Sequence, residues 1–276
     1  MPKTWLITGC SSGLGKGIAQ AALKRGDLVA VTARDIHRLQ PLVQQYQNQA
    51  LPICLDLNEP DSIAQTVKIV TQEFGNIDVL VNNAGHGYRA AVEESEPTAV
   101  KELFQTNFWG PMELIKQVLP GMRARKSGAI INVTSIGAVR GALGNGYYSA
   151  AKGALELASE SLLKEIQHLG IRIMLVEPGA FRTGFYGQRL QESSRRISDY
   201  DILAVQYRKE NTGEPQNQRG DPQKGGELIV NIILEENSPF RLLLGSDAVQ
   251  AAKDTLEDRL NEIRAWESIS RQSDFE

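Results

Sequence analysis

Cysteine and histidine are scarce in this 276-residue chain, and no apolar run is long. The two cysteines, Cys10 and Cys54, are too few for a disulfide framework. The start, MPKTWLITG, lacks a basic segment followed by a long apolar one, so the sequence predicts a cytoplasmic, reducing setting. Cys10 reads as a small buried filler. The three histidines, His37, His86 and His168, are scattered without metal-site spacing, so no metal is assigned. His86 reads as a polar loop residue, with lining of the pocket as the alternative. No stretch approaches the roughly 18 to 20 apolar residues that cross a bilayer. Neither sign of charge is in excess, with 30 Lys+Arg against 33 Asp+Glu. That balance argues against nucleic acid or an anionic membrane as a partner and for a small molecule.

What is present is 41% apolar content in a chain long enough to bury a large core, which predicts a single domain over 1–276. Short β-branched runs alternate with stretches of helical period. The runs Trp5 to Thr8, Leu28 to Thr32, Leu51 to Leu55, Val79 to Asn82, Ala129 to Thr134, Arg172 to Val176 and Arg241 to Leu244 predict seven strands of one parallel sheet. Between them Ile63, Val67, Val70 and Phe74 stop before Gly75, and Ala154, Ala158, Leu162 and Ile166 before Gly170. Such stripes pack helices onto a sheet.

The first strand runs into Thr8-Gly9-Cys10-Ser11-Ser12-Gly13-Leu14-Gly15, followed by a helical stretch to about Lys24. Glycines at 9, 13 and 15 permit a tight turn and let the backbone and the helix N-terminus approach a pyrophosphate, with Ser11, Ser12 and Leu14 as loop contacts. The pattern as a whole predicts an α/β, doubly wound Rossmann fold with helices on both faces of the sheet.

Farther along, Tyr148 and Lys152 stand one helical turn apart, on one helix face, and Ser135 follows the fifth predicted strand. A carbonyl reduced by hydride becomes an alkoxide and needs a proton donor at hand. Tyr148 is that candidate. A free phenol titrates at about 10, and the Lys152 ammonium together with a cationic oxidised nicotinamide nearby is expected to lower it. Ser135 can donate a hydrogen bond to the substrate oxygen.

Glycine loop, Ser135 and Y-x-x-x-K together, in this order, resemble the classical short-chain dehydrogenase/reductase family, from Thr4 to about Asp247. The resemblance implies that Lys152 also holds the nicotinamide ribose and that Asn107 is a fourth catalytic residue, holding a water that links Lys152 to solvent. It implies that Asp56 and Leu57 meet the adenine, and that Asn83, Ala84 and Gly85, after Asn82, border the adenosine ribose and steady the sheet. It places Pro178, Gly179 and Thr183 near the nicotinamide carboxamide. A homodimer or homotetramer is implied as well. Gly220-Asp221-Pro222 and the run Arg241 to Ala248 resemble the hydroxysteroid and retinol dehydrogenase-like branch.

An NAD enzyme of this architecture usually carries an acid about 20 residues past the glycine loop to hold the ribose 2′-hydroxyl. Ala33 and Arg34 stand there, which predicts NADP(H), because a guanidinium grips a 2′-phosphate. Asp35 keeps NAD(H) possible. Substrate recognition is expected in 184–224, where periodicity lapses and Phe185, Tyr186, Tyr200 and Tyr207 interrupt a polar background. Seven basic and six acidic side chains nearly cancel there, which points to a mostly apolar carbonyl or alcohol. Beyond Asp247, a tail with Val249, Leu256, Leu260, Ile263 and Trp266 on one face is expected to pack beside that segment or on a partner subunit. Two rival readings are an epimerase or dehydratase of the extended branch and a non-catalytic dinucleotide sensor. The first usually has another glycine spacing and a larger C-terminal domain; the second should have lost one of Asn107, Ser135, Tyr148 and Lys152.

Overall fold

The computed structural model describes residues 2–187, 189–204 and 217–275. Nine strands are present among them: β1 (Thr4–Ile7), β2 (Leu28–Ala33), β3 (Ala50–Cys54), β4 (Val79–Asn82), β5 (Gly87–Arg89), β6 (Gly128–Val133), β7 (Ile171–Pro178), β8 (Leu190–Glu192) and β9 (Arg241–Leu244). Seven form one parallel sheet in the order β3-β2-β1-β4-β6-β7-β9, and these are the seven strands expected from the sequence. The other two, β5 and β8, pair in parallel as a small second sheet and carry no alternating apolar pattern that would announce them.

The α-helices described along their whole length are α1 (Gly13–Lys24), α2 (Gln40–Gln45), α3 (Pro60–Phe74), α4 (Pro97–Phe104), α5 (Gly110–Arg125), α6 (Ile136–Val139), α7 (Gly146–Ile166), α8 (Pro222–Leu234) and α9 (Ser246–Ser270). Strand side chains alternate between the faces, so each apolar strand feeds two cores. Trp5 and Ile7 of β1 join Ile18 of α1 and Ile229 of α8 on one face. Leu6, between them, joins Ile63 of α3, Leu114 of α5 and Leu162 of α7 on the other. Helix α3 ends where expected, at Gly75 with φ +82. Among the described residues no helix is long and apolar enough to cross a membrane.

Helices α1 and α8 meet backbone to backbone. A Cβ on Gly226 would lie 2.2 Å from the carbonyl carbon of Gly17, and one on Gly17 would lie 2.2 Å from the Pro222 oxygen. Gly226→Ala should therefore force the helices apart and lower stability by about 1 to 3 kcal/mol, as overpacking does. Urea denaturation checks this; an unchanged midpoint would mean that the helices separate without penalty.

One boundary needs correction. The irregular segment ends before Lys224, because α8 begins at Pro222 and Asp221 caps it, its Oδ1 accepting the N–H groups of Gln223 at 2.8 Å and Lys224 at 3.3 Å. Asp before Pro at a first helical turn was a readable start signal. Tyr207 lies outside the described residues. The tail forms one long helix, α9; of the two places expected for its stripe, beside the substrate segment or on a partner subunit, the described part of that segment does not cover it. Ala248 and Ala252 are buried, whereas Val249, Leu256, Leu260, Ile263 and Trp266 are exposed. Among the described residues α9 meets β9, α6 and the turn after β7, with Arg259 donating to the Val139 carbonyl at 2.5 Å.

Candidate active site

The chain winds outward in both directions from β1 and β4, which places the loops after these strands over the crevice at the carboxyl ends of the sheet. The loop after β1 needs glycine: Gly9 has φ +74 and Gly13 φ +61. Gly15 needs it for space, since a Cβ there would lie 2.2 Å from Asn83 Nδ2. Thr8 stitches the two loops together. Its Oγ1 accepts the N–H groups of Asn83 and Ala84, both at 2.9 Å, while Asn83 Nδ2 donates to the Thr8 carbonyl at 2.8 Å. Asn82 turns inward instead, donating to Asn132 Oδ1 at 2.8 Å, and Asn132 donates to Ser159 Oγ at 2.8 Å. That chain rivets β4, β6 and α7.

Two neighbouring cavities open along this edge. The first, of about 240 Å³, is lined by Ser135, Tyr148, Lys152, Gly179, Thr183 and Phe185, among others. The second, of about 410 Å³, is lined by Ser11, Arg34, Asp56, Leu57, Ala84 and Gly85, among others. Gly85 and Arg189 border both, so the two cavities adjoin.

Ser135 caps the short helix α6, its Oγ accepting the Gly137 N–H at 3.0 Å, and it faces Tyr148 in the first turn of α7. Burial pushes the Tyr148 phenol up to about 12, opposed by its hydrogen bond with the Ser135 hydroxyl. Desolvation of the phenolate prevails in this state, whereas the expected lowering is by Lys152 together with a cationic oxidised nicotinamide. Lys152 is buried, donates to the Val133 carbonyl at 2.9 Å, and is itself lowered to about 8 by burial. Tyr148 is a proton-carrying acid at neutral pH in this state.

Asn107 occupies a π-helical turn, Gln105–Trp109, between α4 and α5. Its Nδ2 donates to the His86 carbonyl at 2.9 Å and its Oδ1 accepts the His86 N–H at 3.3 Å. A Cβ on Gly85 would lie 2.5 Å from Asn107 Oδ1 and 3.4 Å from Lys152 Nζ, so a side chain at 85 would collide with the Asn107 amide and crowd Lys152. A π turn is frequent at functional sites and has no local sequence signature.

The remaining expected residues fall around the two cavities. Asp56 is tied to its own turn, its Oδ1 accepting both N–H groups of Asn58 at 2.9 Å. The Leu57 side chain lies in the core. Pro178 ends β7, and at Gly179 a Cβ would lie 2.3 Å from Asp247 Oδ2, which accepts the Ala180 N–H at 2.7 Å. Thr183 accepts the Phe185 N–H at 3.2 Å and backs onto Gly13. Cys10 is buried as expected, its thiol raised to about 12 by desolvation. For His86 the pocket-lining alternative is the one the structure has. This residue lines the second cavity, and burial followed by the Arg34 and Lys152 charges lowers it to about 4, so it is neutral. Arg38 and Arg189, which the sequence did not single out, line that cavity as well.

A model of the short chain dehydrogenase family matches residues 3–194. The chain belongs to that family. It is 35% identical over 277 residues to the oxidoreductase BOA17 of Botryotinia fuckeliana, covering 99% of this chain and all of that one. It is 37% identical to the 3-ketodihydrosphingosine reductase of Bacteroides thetaiotaomicron, covering 88% of each. It is 35% identical to human retinol dehydrogenase 8, covering 87% of this chain and 80% of that one. A crystal structure of a short-chain dehydrogenase from Streptomyces avermitilis superposes with a TM-score of 0.90 at 37% identity, covering 99% and 98%. At 24% identity, an alcohol dehydrogenase from Thermococcus sibiricus complexed with 5-hydroxy-NADP shares the fold, with a TM-score of 0.72 and coverage of 88% and 96%. So does a Burkholderia phymatum enzyme complexed with NAD, at 19% identity, TM-score 0.83 and 95% of each chain. This protein is a short-chain dehydrogenase/reductase enzyme.

Proposed function

We propose that this dehydrogenase interconverts a carbonyl and an alcohol on a mostly apolar small molecule, with NADP(H) as cofactor. The observation that carries the reading is the convergence of the Tyr148 and Ser135 hydroxyls in a cavity walled by Phe181, Phe185 and Leu190. A nicotinamide dinucleotide, when bound, supplies or takes the hydride. Tyr148 gives a proton to the substrate oxygen in reduction and takes it back in oxidation. Ser135 donates a hydrogen bond to the same oxygen and orients it. Lys152 holds the nicotinamide ribose beside the phenol, and Asn107 holds the water that reaches Lys152 from solvent. Gly9, Gly13 and Gly15 leave room for the pyrophosphate, with Ser11, Ser12 and Leu14 around it. Asp56 and Leu57 border the adenine, Asn83, Ala84 and Gly85 the ribose, and Pro178, Gly179 and Thr183 the carboxamide. Relatives named for a keto compound and for retinol support the carbonyl/alcohol chemistry. A cytoplasmic setting and a homodimer or homotetramer complete the reading. Screening ketones, aldehydes and secondary alcohols by NADPH absorbance tests it; absence of turnover on all three classes would sink it.

The NADP preference rests on Arg34 and Arg38, both exposed at the second cavity and in no ion pair with a described residue. Asp35, the competing acid, accepts the His37 N–H at 3.0 Å and so caps its own short helix. A charge-assisted hydrogen bond is worth about 1.5 to 3 kcal/mol, or roughly tenfold to a hundredfold in affinity. Arg34→Ala should weaken NADPH binding by that factor and leave NADH binding unchanged in a fluorescence titration. Equal losses, or a wild-type preference for NADH, would move the weight to Asp35.

A further inference from the structure

Arg189 borders both cavities, and its main chain and side chain are held by opposite walls. Its carbonyl accepts the Gly87 N–H at 2.9 Å, and Leu190, next in the chain, opens β8, which pairs with β5. From there the guanidinium crosses to the glycine loop, where Nη2 donates to Ser12 Oγ at 2.9 Å and Ser11 Oγ at 3.2 Å. No described carboxylate pairs with it. Burial and then the charges of Arg38 and Arg34 lower its pKa. Two neutral hydroxyls do not compensate a half-buried cation with two like charges nearby. Of the acids that line the two cavities, Asp35 and Asp56 are engaged with their own turns and Asp247 with the Ala180 N–H, and Glu102 forms no described ion pair with Arg189. The place asks for an anion.

We propose that Arg189 is a phosphate-binding residue carried by the substrate segment, its guanidinium gripping the bridging pyrophosphate of the dinucleotide above the glycine loop. The proposal rests on the dinucleotide reading of the site but not on the NADP preference. Position selects the pyrophosphate over the 2′-phosphate. Ser12 lines the cavity of Tyr148 and Ser11 that of Arg34, and Arg189 donates to both, so it sits where the two halves of the cofactor join. A planar fork of donors suits a phosphate pair held in two places. Binding would also tie the start of the substrate segment to the loaded cofactor, so that substrate recognition follows cofactor binding.

The test is calorimetry on the full chain with ADP, NADH and NADPH for the wild type, Arg189→Gln and Arg189→Lys. Glutamine keeps hydrogen-bonding capacity and removes the charge; lysine restores the charge without the fork. Arg189→Gln should weaken all three ligands by a similar factor, roughly tenfold to a hundredfold. Arg189→Lys should recover part of the loss, and the urea midpoint of the unliganded protein should not move. A loss confined to NADPH would assign Arg189 to the 2′-phosphate and overturn the proposal. So would unchanged affinities, or a loss of stability that lysine does not relieve. A wild type that binds none of the three ligands would instead defeat the dinucleotide reading itself, whereas a wild-type preference for NADH would touch only the role of Arg34.

Discussion

Tyr148→Phe should abolish turnover while leaving cofactor affinity nearly intact. The substitution removes one hydroxyl and keeps the ring, which packs at 5.7 Å, centroid to centroid, against Phe185. Positioned acid–base groups contribute about 10² to 10⁴ in rate, and that is the expected loss. The phenol is raised to about 12, so it carries its proton throughout the neutral range, as reduction requires. Activity above a tenth of wild type would show that another group supplies the proton. Because the phenol also touches Ser135, Ser135→Ala is expected to lose rate less severely, through lost orientation of the substrate oxygen.

Lys152→Ala should do more damage, since it removes both the charge beside the phenol and the proposed ribose contact. The expected result is a loss in kcat/KM of at least the same 10² to 10⁴, about 3 to 5 kcal/mol, together with a weaker cofactor Kd. If the rate falls while Kd stays fixed, the ribose contact is wrong. Burial sets the sign of the pH dependence. The ammonium, lowered to about 8, is charged below that value and neutral above it. Carbonyl reduction by the wild type should therefore hold through the neutral range and decline as pH rises past about 8. The residual activity of Lys152→Ala should lack that decline. A wild-type profile flat well above pH 8 would remove Lys152 from the proton path.

Much of this was legible in the chain because it is local. A strand reads from a run of β-branched residues, a helix from apolar residues three and four apart, and the turn between them from glycine; all seven strands of the main sheet follow from such spacing. Tyr148 and Lys152 are placed on one face of α7 by helical period alone, and Ser135 by following a strand that ends at the crevice. What escaped notice has no period. The strands β5 and β8 are three residues each and exist only through one another. The start of α8 had a sequence signal, Asp221-Pro222, that polar surroundings obscured.

The order of strands and helices, the glycine loop and the identity of the candidate catalytic groups were determined by the sequence itself, because each depends on neighbours within a turn or two of the chain. Tertiary structure alone decided the rest. Arg189 meets Ser12 across 177 positions, and Asn107 meets His86 across 21, in contacts set by sheet order and helix packing. The Tyr148 phenol rises because folding removes water from around it, and no spacing in the sequence reports how much water the final packing leaves.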